Sequence, residues 1–554
     1  MRAALIFPPQ WDPRQPPLAP AVLGGALQAA GADVRIFDLN LALYRRLLRS
    51  PVPGGIEDVL TGRLLDPGAL RDARGYLKTS EALQKIFDER FDPHGKGRLF
   101  WDTCGGLPSP AASRNWQAVL AAPDALPFLR HLETEMAELL EWAPDLVGIS
   151  VISDTQLSAA LALAARVRRA LPKIRIVLGG DALTYRRSLL PMLSWLRPTI
   201  DAICLGDGEP LMTALADGAP IAGSPNSLSW NVSGKSIAGN SILCNLSTSI
   251  LPDFSDLPLR GYLTPHLVMP VETARGCPWG RCAFCIHPVR AVTGRPLYRP
   301  KPIMRVAAEI ERLFAAGHRR FFMIDEALPP PRLRELADLF GALPEPVSWI
   351  GYARLDAGHT RDGFIRARAA GCRKLFIGVE TGSDSLLTRF HKGVDAARAR
   401  RVLHDAAAAG LAVHFFLMTG FPGEEESDRQ ATLDLLADVW PAFDPFGVSF
   451  DLFPLTGELE TALTADPAAF GWKGPSHDAW NDLAWQFPLT AGPATAESLS
   501  EFRGRINVLA DQIFGTEFGL RHATLAQDSI HLLLLEARSC PDSGARHPIR
   551  ACRP

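Results

Sequence analysis

Strong charge of either sign is missing from this sequence. Its 554 residues include 58 Lys and Arg and 60 Asp and Glu, a formal net charge of −2 at pH 7. A balance this close gives no electrostatic reason to expect nucleic acid or an anionic membrane as a partner. Long apolar runs are missing too, since no window approaches the ~18 uncharged apolar residues of a membrane span. We therefore expect neither nucleic-acid nor membrane binding.

Cysteine is also scarce, with nine residues in 554. The opening "MRAALIFPPQWDP" has a short apolar run that prolines interrupt, too short for the core of a signal peptide. We therefore expect a cytoplasmic protein with reduced thiols rather than a disulfide framework. In such a protein, cysteines that cluster along the sequence indicate metal binding or catalysis.

The first part of the chain predicts an open α/β sheet. Strand and helix patterns alternate in "AALIF", "AVLGGALQAAG" and "DVRIFDLN", and they return in "DLVGISV", "KIRIVLGG" and "AICLGDGEPLMTAL". Between the two runs, residues 41–140 carry amphipathic helical patterns instead. Residues 1–215 are thus predicted to form one Rossmann-like domain with a helical insertion.

The rest of the chain predicts a second α/β domain. Residues 216–265 are rich in Ser, Gly, Asn and Pro and are interpreted as a linker with a small hairpin. A succession of βα units follows over residues 266–460, which favours a full or partial TIM-type β/α barrel. Residues 461–554 predict a small, mainly helical C-terminal region with a polar tail.

Three cysteines gather in "RGCPWGRCAFC": Cys277, Cys282 and Cys285. A structural zinc site would need a fourth ligand, and the sequence has no second cysteine pair to supply it. A redox CxxC motif would leave Cys277 without a role. Three soft thiolates suit an iron–sulfur cluster with one iron left open. The loop follows the apolar strand "HLVMPVETA", so we expect it at the carboxyl end of a barrel strand, where barrel enzymes keep their chemistry.

This segment resembles the signature of the radical S-adenosylmethionine (SAM) family, three cysteines after the first barrel strand with an aromatic residue, here Phe284, before the last. The usual spacing is C-x3-C-x2-C, whereas four residues separate Cys277 from Cys282, so this loop is longer by one residue. The resemblance implies a [4Fe–4S] cluster held by Cys277, Cys282 and Cys285, with SAM chelated by the open iron. One electron from an external donor of the flavodoxin or ferredoxin type then cleaves SAM to a 5′-deoxyadenosyl radical.

Later barrel motifs extend the resemblance. "MIDEA", "YARLD", "GVETGSDSLL" and "MTGFPGEEESD" follow the cysteine loop in order, each at a predicted strand end. Taken singly, each has a local explanation, since a strand-end Asp commonly caps a helix and Gly–Phe–Pro–Gly commonly forms a turn. The SAM-binding residues that the resemblance implies are Phe284, Asp325, Glu326, Arg354, Glu380, Ser383, Gly420 and Gly423.

The N-terminal sheet resembles the cobalamin-binding domain of class B radical SAM proteins, through "LIFPPQ", "VGISVISD", "IVLGGDALTY" and "LGDGEPLMTAL". Glycine pairs at strand ends let the backbone approach a bound corrin or its nucleotide tail. The cobalamin-binding residues implied are Gln10, Trp11, Arg14, Ser150, Ser153, Gly179, Gly180, Gly206, Gly208 and Glu209. Asp92, His94 and Gly97 form a D-x-H-x-x-G pattern that supplies a cobalt ligand in some cobalamin proteins. They fall inside the helical insertion, so we interpret them as a solvated turn.

Together these motifs predict a cobalamin-dependent radical SAM methyltransferase. By the resemblance it transfers a methyl group from SAM through methylcobalamin to an unactivated carbon, or to phosphorus, of a natural product or peptide. Hydroxocobalamin is the form in which the corrinoid would be supplied. Beyond the cofactor ligands no catalytic residue is assigned, and no motif names the small-molecule or peptide substrate.

Three alternatives stay open. Some relatives form or contract rings with cobalamin and transfer no methyl group. Others methylate without a radical when a protein group blocks the open iron, a role that His287 or Glu272 could take here. From a different class, the N-terminal sheet could be a partner-binding module in a cobalamin-independent radical SAM enzyme.

Overall fold

The chain divides into two units. In this computed structural model, the described residues are 1–49, 51–101, 104–287, 298–476, 478, 480–489, 493–515 and 528–539. The first unit comprises Met1–Leu267 with His477–Trp485, and the second comprises Val268–Ser476 with Gln486–Pro554. Within the described ranges, no helix combines the length and the apolar character that crossing a bilayer requires.

The first unit is built on a seven-stranded sheet in the order β2-β1-β5-β6-β7-β8-β9. The first five strands in that order are parallel, and β8 and β9 are antiparallel. Its strands, with the separate hairpin β3–β4, are β1 (Arg2–Phe7), β2 (Asp33–Asp38), β3 (Arg98–Leu99), β4 (Cys104–Gly105), β5 (Leu146–Ser150), β6 (Arg175–Gly179), β7 (Ala202–Cys204), β8 (Ser227–Trp230) and β9 (Ser236–Ala238). Continuous apolar runs such as "AALIF" in β1 are buried, as expected for parallel strands covered on both faces.

The predicted helical insertion is confirmed between β2 and β5. The helices of the first unit are α1 (Leu18–Ala29), α2 (Leu39–Leu47), α3 (Ile56–Leu65), α4 (Ala73–Phe91), α5 (Ser113–Ala121), α6 (Pro127–Arg130), α7 (Glu133–Trp142), α8 (Asp154–Ala170), α9 (Asp181–Thr184) and α10 (Glu209–Ala216). The insertion has an aromatic core of its own, in which the Phe87 ring lies 4.9 Å from Tyr44 and 4.8 Å from Trp101 between centroids.

Two further segments join the first unit. The hairpin expected within residues 216–265 is present, and its strands β8 and β9 extend the sheet beyond β7. Residues 480–485, far along the chain, also pack on this unit, where Leu483 N donates to Ala111 O (2.8 Å) and Arg186 Nε donates to Leu483 O (2.9 Å). Arg186 is fully buried and forms a bidentate ion pair with Asp154 (2.7 Å).

The second unit contains a six-stranded parallel sheet in the order β10-β13-β14-β15-β16-β17, which confirms a partial β/α barrel. Its strands and the two small antiparallel pairs are β10 (Met269–Val271), β11 (Ala274–Arg275), β12 (Arg299–Pro300), β13 (Arg320–Leu328), β14 (Ser348–Ala353), β15 (Cys372–Glu380), β16 (Ala412–Thr419), β17 (Val448–Pro454), β18 (Thr456–Glu458) and β19 (Gln486–Pro488). Carboxyl ends of parallel strands meet at one edge, so the loops after them share that edge.

Helices cover the outer face of this sheet. They are α11 (Ile303–Ala315), α12 (Pro330–Gly341), α13 (Arg361–Ala369), α14 (Asp384–Arg389), α15 (Ala396–Ala408), α16 (Glu426–Val439), α17 (Ala462–Ala465), α18 (Pro493–Phe514) and α19 (Asp528–Ser539). Helix α19 packs at the amino end of the strands, where His531 Nε2 lies 2.9 Å from Phe446 O and Arg320 Nε pairs with Glu536 (2.5 Å). The described part of the C-terminal region thus includes helices, as expected, and α19 lies at the end of the sheet opposite the cysteine loop.

Candidate functional site

The cysteine loop, residues 276–287, follows β10 and β11 at the carboxyl edge of the second sheet. Its first residue, Gly276, has φ +87° and donates its N–H to Glu326 Oε2 (2.9 Å), so a carboxylate from the end of β13 anchors the start of the loop. Cys277, Cys282 and Cys285 are free thiols of intermediate exposure. The predicted position of the three cysteines after the first barrel strand is confirmed.

The three thiols share one electrostatic environment. Burial raises the pKa of Cys285, and neighbouring Cys282 and Cys277 add to that effect, so the free thiol is protonated and must lose its proton to bind iron. Within the described ranges, no three His, Cys, Asp or Glu side chains converge as ligands of a single metal ion would. A [4Fe–4S] cluster presents a separate iron to each thiolate, so three ligands spread along one loop fit a cluster.

Arg354 brings a positive charge to this loop from the end of β14. Its Nη1 lies 3.7 Å from Cys282 Sγ, and its guanidinium lies 5.4 Å from the centre of the Trp279 ring. Burial lowers the pKa of Arg354, but Cys282, Asp356 and Cys277 outweigh that effect and leave the pKa above its ordinary value. The guanidinium is therefore charged and offsets the negative charge of thiolate ligands.

A short turn after α14, Phe390–Gly393, supports the cysteine loop, and we name it the buttress turn. Three consecutive carbonyls of the turn accept hydrogen bonds from the site: Phe390 O from Ala283 N (3.0 Å), His391 O from Trp279 Nε1 (2.8 Å) and Lys392 O from Arg354 Nη2 (2.6 Å). Gly393 has φ +76°, and a Cβ there would lie 2.2 Å from the Trp279 ring. The turn thus fits against the loop only with glycine at this position.

The two acidic residues at the end of β13, Asp325 and Glu326, contact different parts of the site. Asp325 is buried and accepts hydrogen bonds from Thr273 N (2.6 Å) and from the Thr273 hydroxyl. Burial raises the pKa of Asp325 to about 7, although those hydrogen bonds act in the opposite direction. Glu326 instead bonds the loop at Gly276. Of the two candidates, Glu326 is the one whose carboxylate contacts the cysteine loop.

Two more predicted residues lie where β15 ends. Glu380 has φ +65°, is buried, and its Oε1 lies 2.5 Å from Lys392 Nζ of the buttress turn. Ser383 caps α14 by accepting from Leu386 N (3.3 Å) and donates to Asp428 Oδ1 (2.5 Å). Lys392 therefore connects Glu380 to the turn that supports the cysteines.

The glycines after β16 form the last of the predicted SAM contacts. Gly420 (φ +81°) donates its N–H to Glu424 Oε2 (2.6 Å), and Gly423 (φ +71°) lies beside the Arg389 guanidinium. Arg389 in turn donates to Pro422 O (2.8 Å). Phe284 has intermediate exposure within the cysteine loop. The assignment of all these residues to SAM stays a prediction.

Sequence reasoning missed the residues that hold the site together, namely Trp279, Lys392, Gly393 and Glu424. Trp279 lies within the cysteine motif, but its contact with Gly393 spans more than a hundred residues, and Gly393 belongs to no motif that spacing reveals. Glu424 could have been found from sequence, because it is the last residue of "GFPGE", four residues after Gly420. Its carboxylate accepts a hydrogen bond from the N–H of Gly420. Of the two residues considered for blocking an open iron, Glu272 is paired with Arg275 (3.0 Å) and Lys301 (3.6 Å), and His287 has intermediate exposure.

In the first unit, the loop after β1 carries three predicted cobalamin residues. Gln10 is fully buried, donates to Phe100 O (2.7 Å) and contacts the Tyr44 hydroxyl, so the helical insertion packs directly on this loop. Trp11 N donates to Asn40 Oδ1 (2.9 Å). Arg14 is buried and its Nη2 lies 2.6 Å from Asp12 Oδ2. The side chains of Gln10 and Arg14 are therefore held by protein contacts.

The remaining predicted cobalamin residues lie at the ends of β5, β6 and β7. Ser150 ends β5, and Ser153 caps α8. A Cβ at Gly179 would lie 3.1 Å from Cys204 Cβ, and Gly180 has φ +114° with a Cβ position only 2.3 Å from Val151 O. Beyond β7, Gly206 has φ +81°, Gly208 precedes α10, and Glu209 is its buried first residue. The structure thus brings these residues to one edge of the sheet, and their assignment to cobalamin stays a prediction.

The D-x-H-x-x-G pattern is a turn at the end of α4. Asp92 Oδ2 accepts from Gly97 N (2.9 Å), and Asp92 Oδ1 lies 3.1 Å from Arg130 Nη2. His94 is exposed. These contacts agree with the interpretation of a solvated turn.

Two family models match the chain. The model of the B12 binding domain matches residues 114–216, and the model of the radical SAM superfamily matches residues 271–436. The first match favours a corrinoid over a partner-binding module in the N-terminal unit. The second includes the cysteine loop, Arg354 and Glu380.

Curated relatives share parts of this chain. A tRNA-2-methylthio-N(6)-dimethylallyladenosine synthase of Chloroflexus aurantiacus is 27% identical over 230 residues, 38% of this chain and 48% of the relative. An uncharacterised methyltransferase of Pyrococcus horikoshii is 24% identical over 311 residues, 54% of this chain and 66% of the relative. The chain thus spans just under half of the first relative's length and about two thirds of the second's.

Solved structures share the fold over most of the chain. The cobalamin-dependent radical SAM enzyme OxsB, with aqua-cobalamin and SAM bound, aligns with a TM-score of 0.61 at 15% identity, covering 90% of this chain and 65% of that one. The radical SAM methyltransferase TsrM from Kitasatospora setae, with tryptophan substrate and a SAM analogue, aligns with a TM-score of 0.59 at 16% identity, covering 92% and 90%. At these identities the likeness concerns the fold, an N-terminal B12-binding domain followed by a radical SAM domain.

Proposed function

Because this chain is a radical SAM enzyme with a B12-binding domain, we propose that it is a cobalamin-dependent methyltransferase. It takes a methyl group from SAM, through cobalamin, to an unactivated carbon or to phosphorus of a natural product or peptide. The observation that carries the proposal is a supported three-cysteine loop in a chain that also contains a B12-binding domain. The methyltransferases among the relatives and structural neighbours favour methyl transfer over rearrangement.

The chain's own residues would hold the cofactors as follows. Cys277, Cys282 and Cys285 would bind three irons of a [4Fe–4S] cluster, and Arg354 would offset their charge. The polar groups at the ends of β13, β15 and β16 would bind SAM. When bound, the cluster supplies an electron for cleaving SAM and cobalamin supplies the methyl group.

The substrate is proposed as a small molecule or a peptide, and the electron donor as a protein of the flavodoxin or ferredoxin type. One structural neighbour holds tryptophan as its substrate, which supports an aromatic metabolite or residue as a starting point for a search. The tRNA-2-methylthio-N(6)-dimethylallyladenosine synthase of Chloroflexus aurantiacus is matched over less than half of its own length, so it gives weaker support to a methylthiolation reaction.

The test begins with anaerobic purification and reconstitution with iron, sulfide and hydroxocobalamin. Bound iron is measured for the wild type, for Cys282→Ala and for a matched control, Cys372→Ala, which removes a buried free thiol at the start of β15. We expect about four irons per chain in the wild type and in Cys372→Ala, and fewer than about two in Cys282→Ala. Equal iron in all three proteins would contradict the assignment of the loop.

Methyl transfer is tested with SAM that carries a deuterated methyl group. After reduction, the bound corrinoid should gain the labelled methyl group, detected by its absorption and by mass spectrometry, with S-adenosylhomocysteine formed in equal amount. With substrate extracts present, a methyltransferase gives a labelled product. A corrinoid that never acquires the label, while 5′-deoxyadenosine accumulates, would overturn methyl transfer in favour of a rearrangement.

A further inference from the structure

The inner face of the six-stranded sheet is lined by aromatic rings. Because side chains alternate along a strand, the residues that face away from the covering helices share one surface. The rings in mutual contact on this surface are Phe322, Tyr352, Phe376, Phe416 and Phe453. Centroid distances within the set run from 5.1 Å for Tyr352–Phe376 to 6.4 Å for Phe416–Phe453.

Part of this surface is open. Phe453 is 47% exposed and Ile324 is 36% exposed, whereas Phe376 is buried beneath the other rings. Tyr352 and Phe416 have intermediate exposure. The second unit therefore offers a floor of ring faces and edges that a flat molecule can contact.

One carboxylate is set among these rings. Asp451 pairs in register with Phe416 across β16 and β17, and its side chain is 33% exposed. Its Oδ2 lies 3.4 Å from Nε2 of His414, whose ring is buried. His414 Nδ1 lies in turn 2.9 Å from the hydroxyl of Ser449, which is fully buried. The Asp451 carboxylate therefore lies beside a buried imidazole whose own position is held by Ser449.

We propose that this surface binds the substrate through a flat aromatic ring that carries a protonated or N–H-bearing nitrogen. The ring packs against Tyr352, Phe416 and Phe453, and the nitrogen donates to Asp451. Ring contacts of this kind favour offset or edge-on stacking. An ammonium gains both a charge-assisted hydrogen bond to the carboxylate and attraction to the ring faces. A wholly apolar substrate would desolvate the exposed part of the Asp451 carboxylate without adding a hydrogen bond to it, and an anionic one would place like charges side by side.

This inference rests on the proposed function, because it names the substrate class of the same barrel. It concerns residues of the second unit that are not among the proposed cofactor contacts. Binding can therefore be measured without turnover, and the result does not depend on whether methyl transfer occurs.

The experiment uses three probes of similar size on the reconstituted holoprotein with SAM. Phenethylamine has the ring and the ammonium, 3-phenylpropionate has the ring with a carboxylate, and 2-cyclohexylethylamine has the ammonium without a flat ring. Equilibrium dialysis at millimolar concentrations gives the three dissociation constants. We expect phenethylamine to bind about 10-fold more tightly than either of the other two.

Asp451→Asn should weaken the binding of phenethylamine by about 10-fold and leave the binding of 3-phenylpropionate unchanged or slightly tighter. The matched control is Asp438→Asn, in an exposed pair whose carboxylate lies 3.2 Å from His404 Nε2 on the outer helices, and it should leave all three probes unchanged. Equal affinities for the three probes, no binding of any, or an equal effect of both variants would overturn the proposal. If phenethylamine is preferred and lost in Asp451→Asn while no methyl label is ever transferred, the substrate class stands and the proposed reaction fails.

Discussion

Replacing Gly393 by alanine tests how the cysteine loop is held. Gly393 has φ +76°, a backbone conformation that an L side chain rarely adopts. An alanine Cβ at this position would lie 2.2 Å from Cζ2 of Trp279 and 2.5 Å from Cη2, far inside contact distance. The indole cannot shift freely, because its Nε1 donates to His391 O (2.8 Å) and its ring lies beside the Arg354 guanidinium. The substitution therefore strains the backbone and displaces a ring of the loop.

The expected loss of unfolding free energy follows from these two effects, the backbone strain and the clash with the ring. A left-handed conformation costs an L residue about 1–2 kcal/mol, and forcing an extra carbon into a packed contact costs about 1–3 kcal/mol. Gly393→Ala should thus lose about 2–5 kcal/mol of unfolding free energy, which lowers Tm by roughly 5–15 °C for a unit of this size. Gly317→Ala is a matched control, since Gly317 has φ +93° and nothing lies within 4 Å of its Cβ position. It should lose only about 1–2 kcal/mol.

The assay is thermal unfolding followed by circular dichroism, together with bound iron after reconstitution and the EPR spectrum of the reduced protein. Gly393→Ala should lose iron as well as stability, whereas Gly317→Ala keeps the iron of the wild type. Adding Trp279→Leu to Gly393→Ala removes the clash and should recover only the part of the stability lost to that contact, because the left-handed backbone of residue 393 remains, and it should not restore iron. The reasoning would be refuted if Gly393→Ala and Gly317→Ala matched in both Tm and iron.

Two further predictions concern buried charge in the second unit. Lys392→Met removes the partner of Glu380 at a pair whose side chains are 6% and 11% exposed, and it should cost about 3–5 kcal/mol in urea unfolding. The exposed pair Arg366–Asp338 is the control, and Arg366→Met should cost under about 1 kcal/mol. Equal losses in the two variants would contradict the prediction that burial makes the Lys392–Glu380 pair costly to break. Burial lowers the pKa of His359 to about 4, so the folded state takes up a proton less readily than the unfolded chain, with a pKa near 6.5. The free energy of unfolding should fall by about 2 kcal/mol between pH 7 and pH 5, and His359→Phe should remove that fall. If the variant's unfolding free energy changes with pH as the wild type's does, His359 is not the responsible group.

Local patterns predicted the parts of the site that are contiguous in sequence. Cys277, Cys282 and Cys285 fall within nine positions, and their loop follows an apolar strand, so both their chemistry and their place at the carboxyl edge could be inferred. The strands that carry Arg354 and Glu380 were recognisable from apolar runs between helices. The helical insertion was equally visible, because its amphipathic period differs from that of the flanking strands.

Contacts between distant segments could not be inferred in the same way. Lys392 has no motif of its own, and its role appears only when the turn after α14 meets the end of β15. Asp451 looks like any acidic residue in a strand until alternation and register place it beside Phe416 and His414. Residues 480–485 join the first unit through main-chain and side-chain contacts with partners that lie far away in the sequence. The Trp485 ring, for example, stacks on Tyr185 at 4.6 Å. No local pattern predicts such a contact.

The use of main-chain carbonyls explains why the support of the cysteine loop is hard to read from sequence. Twelve residues, 276–287, carry three thiols with little regular secondary structure, so bonds from outside the loop must fix their positions. Those bonds run to the carbonyls of Phe390, His391 and Lys392, which any residue at these positions would present. Side-chain identity within the buttress turn is constrained at Gly393 by Trp279 and at Lys392 by Glu380. Phe390 is constrained as well, because its ring is buried 4.9 Å from that of Phe421. The carbonyls that hold the loop therefore depend on where the turn lies, and packing at the side chains of the turn sets that position.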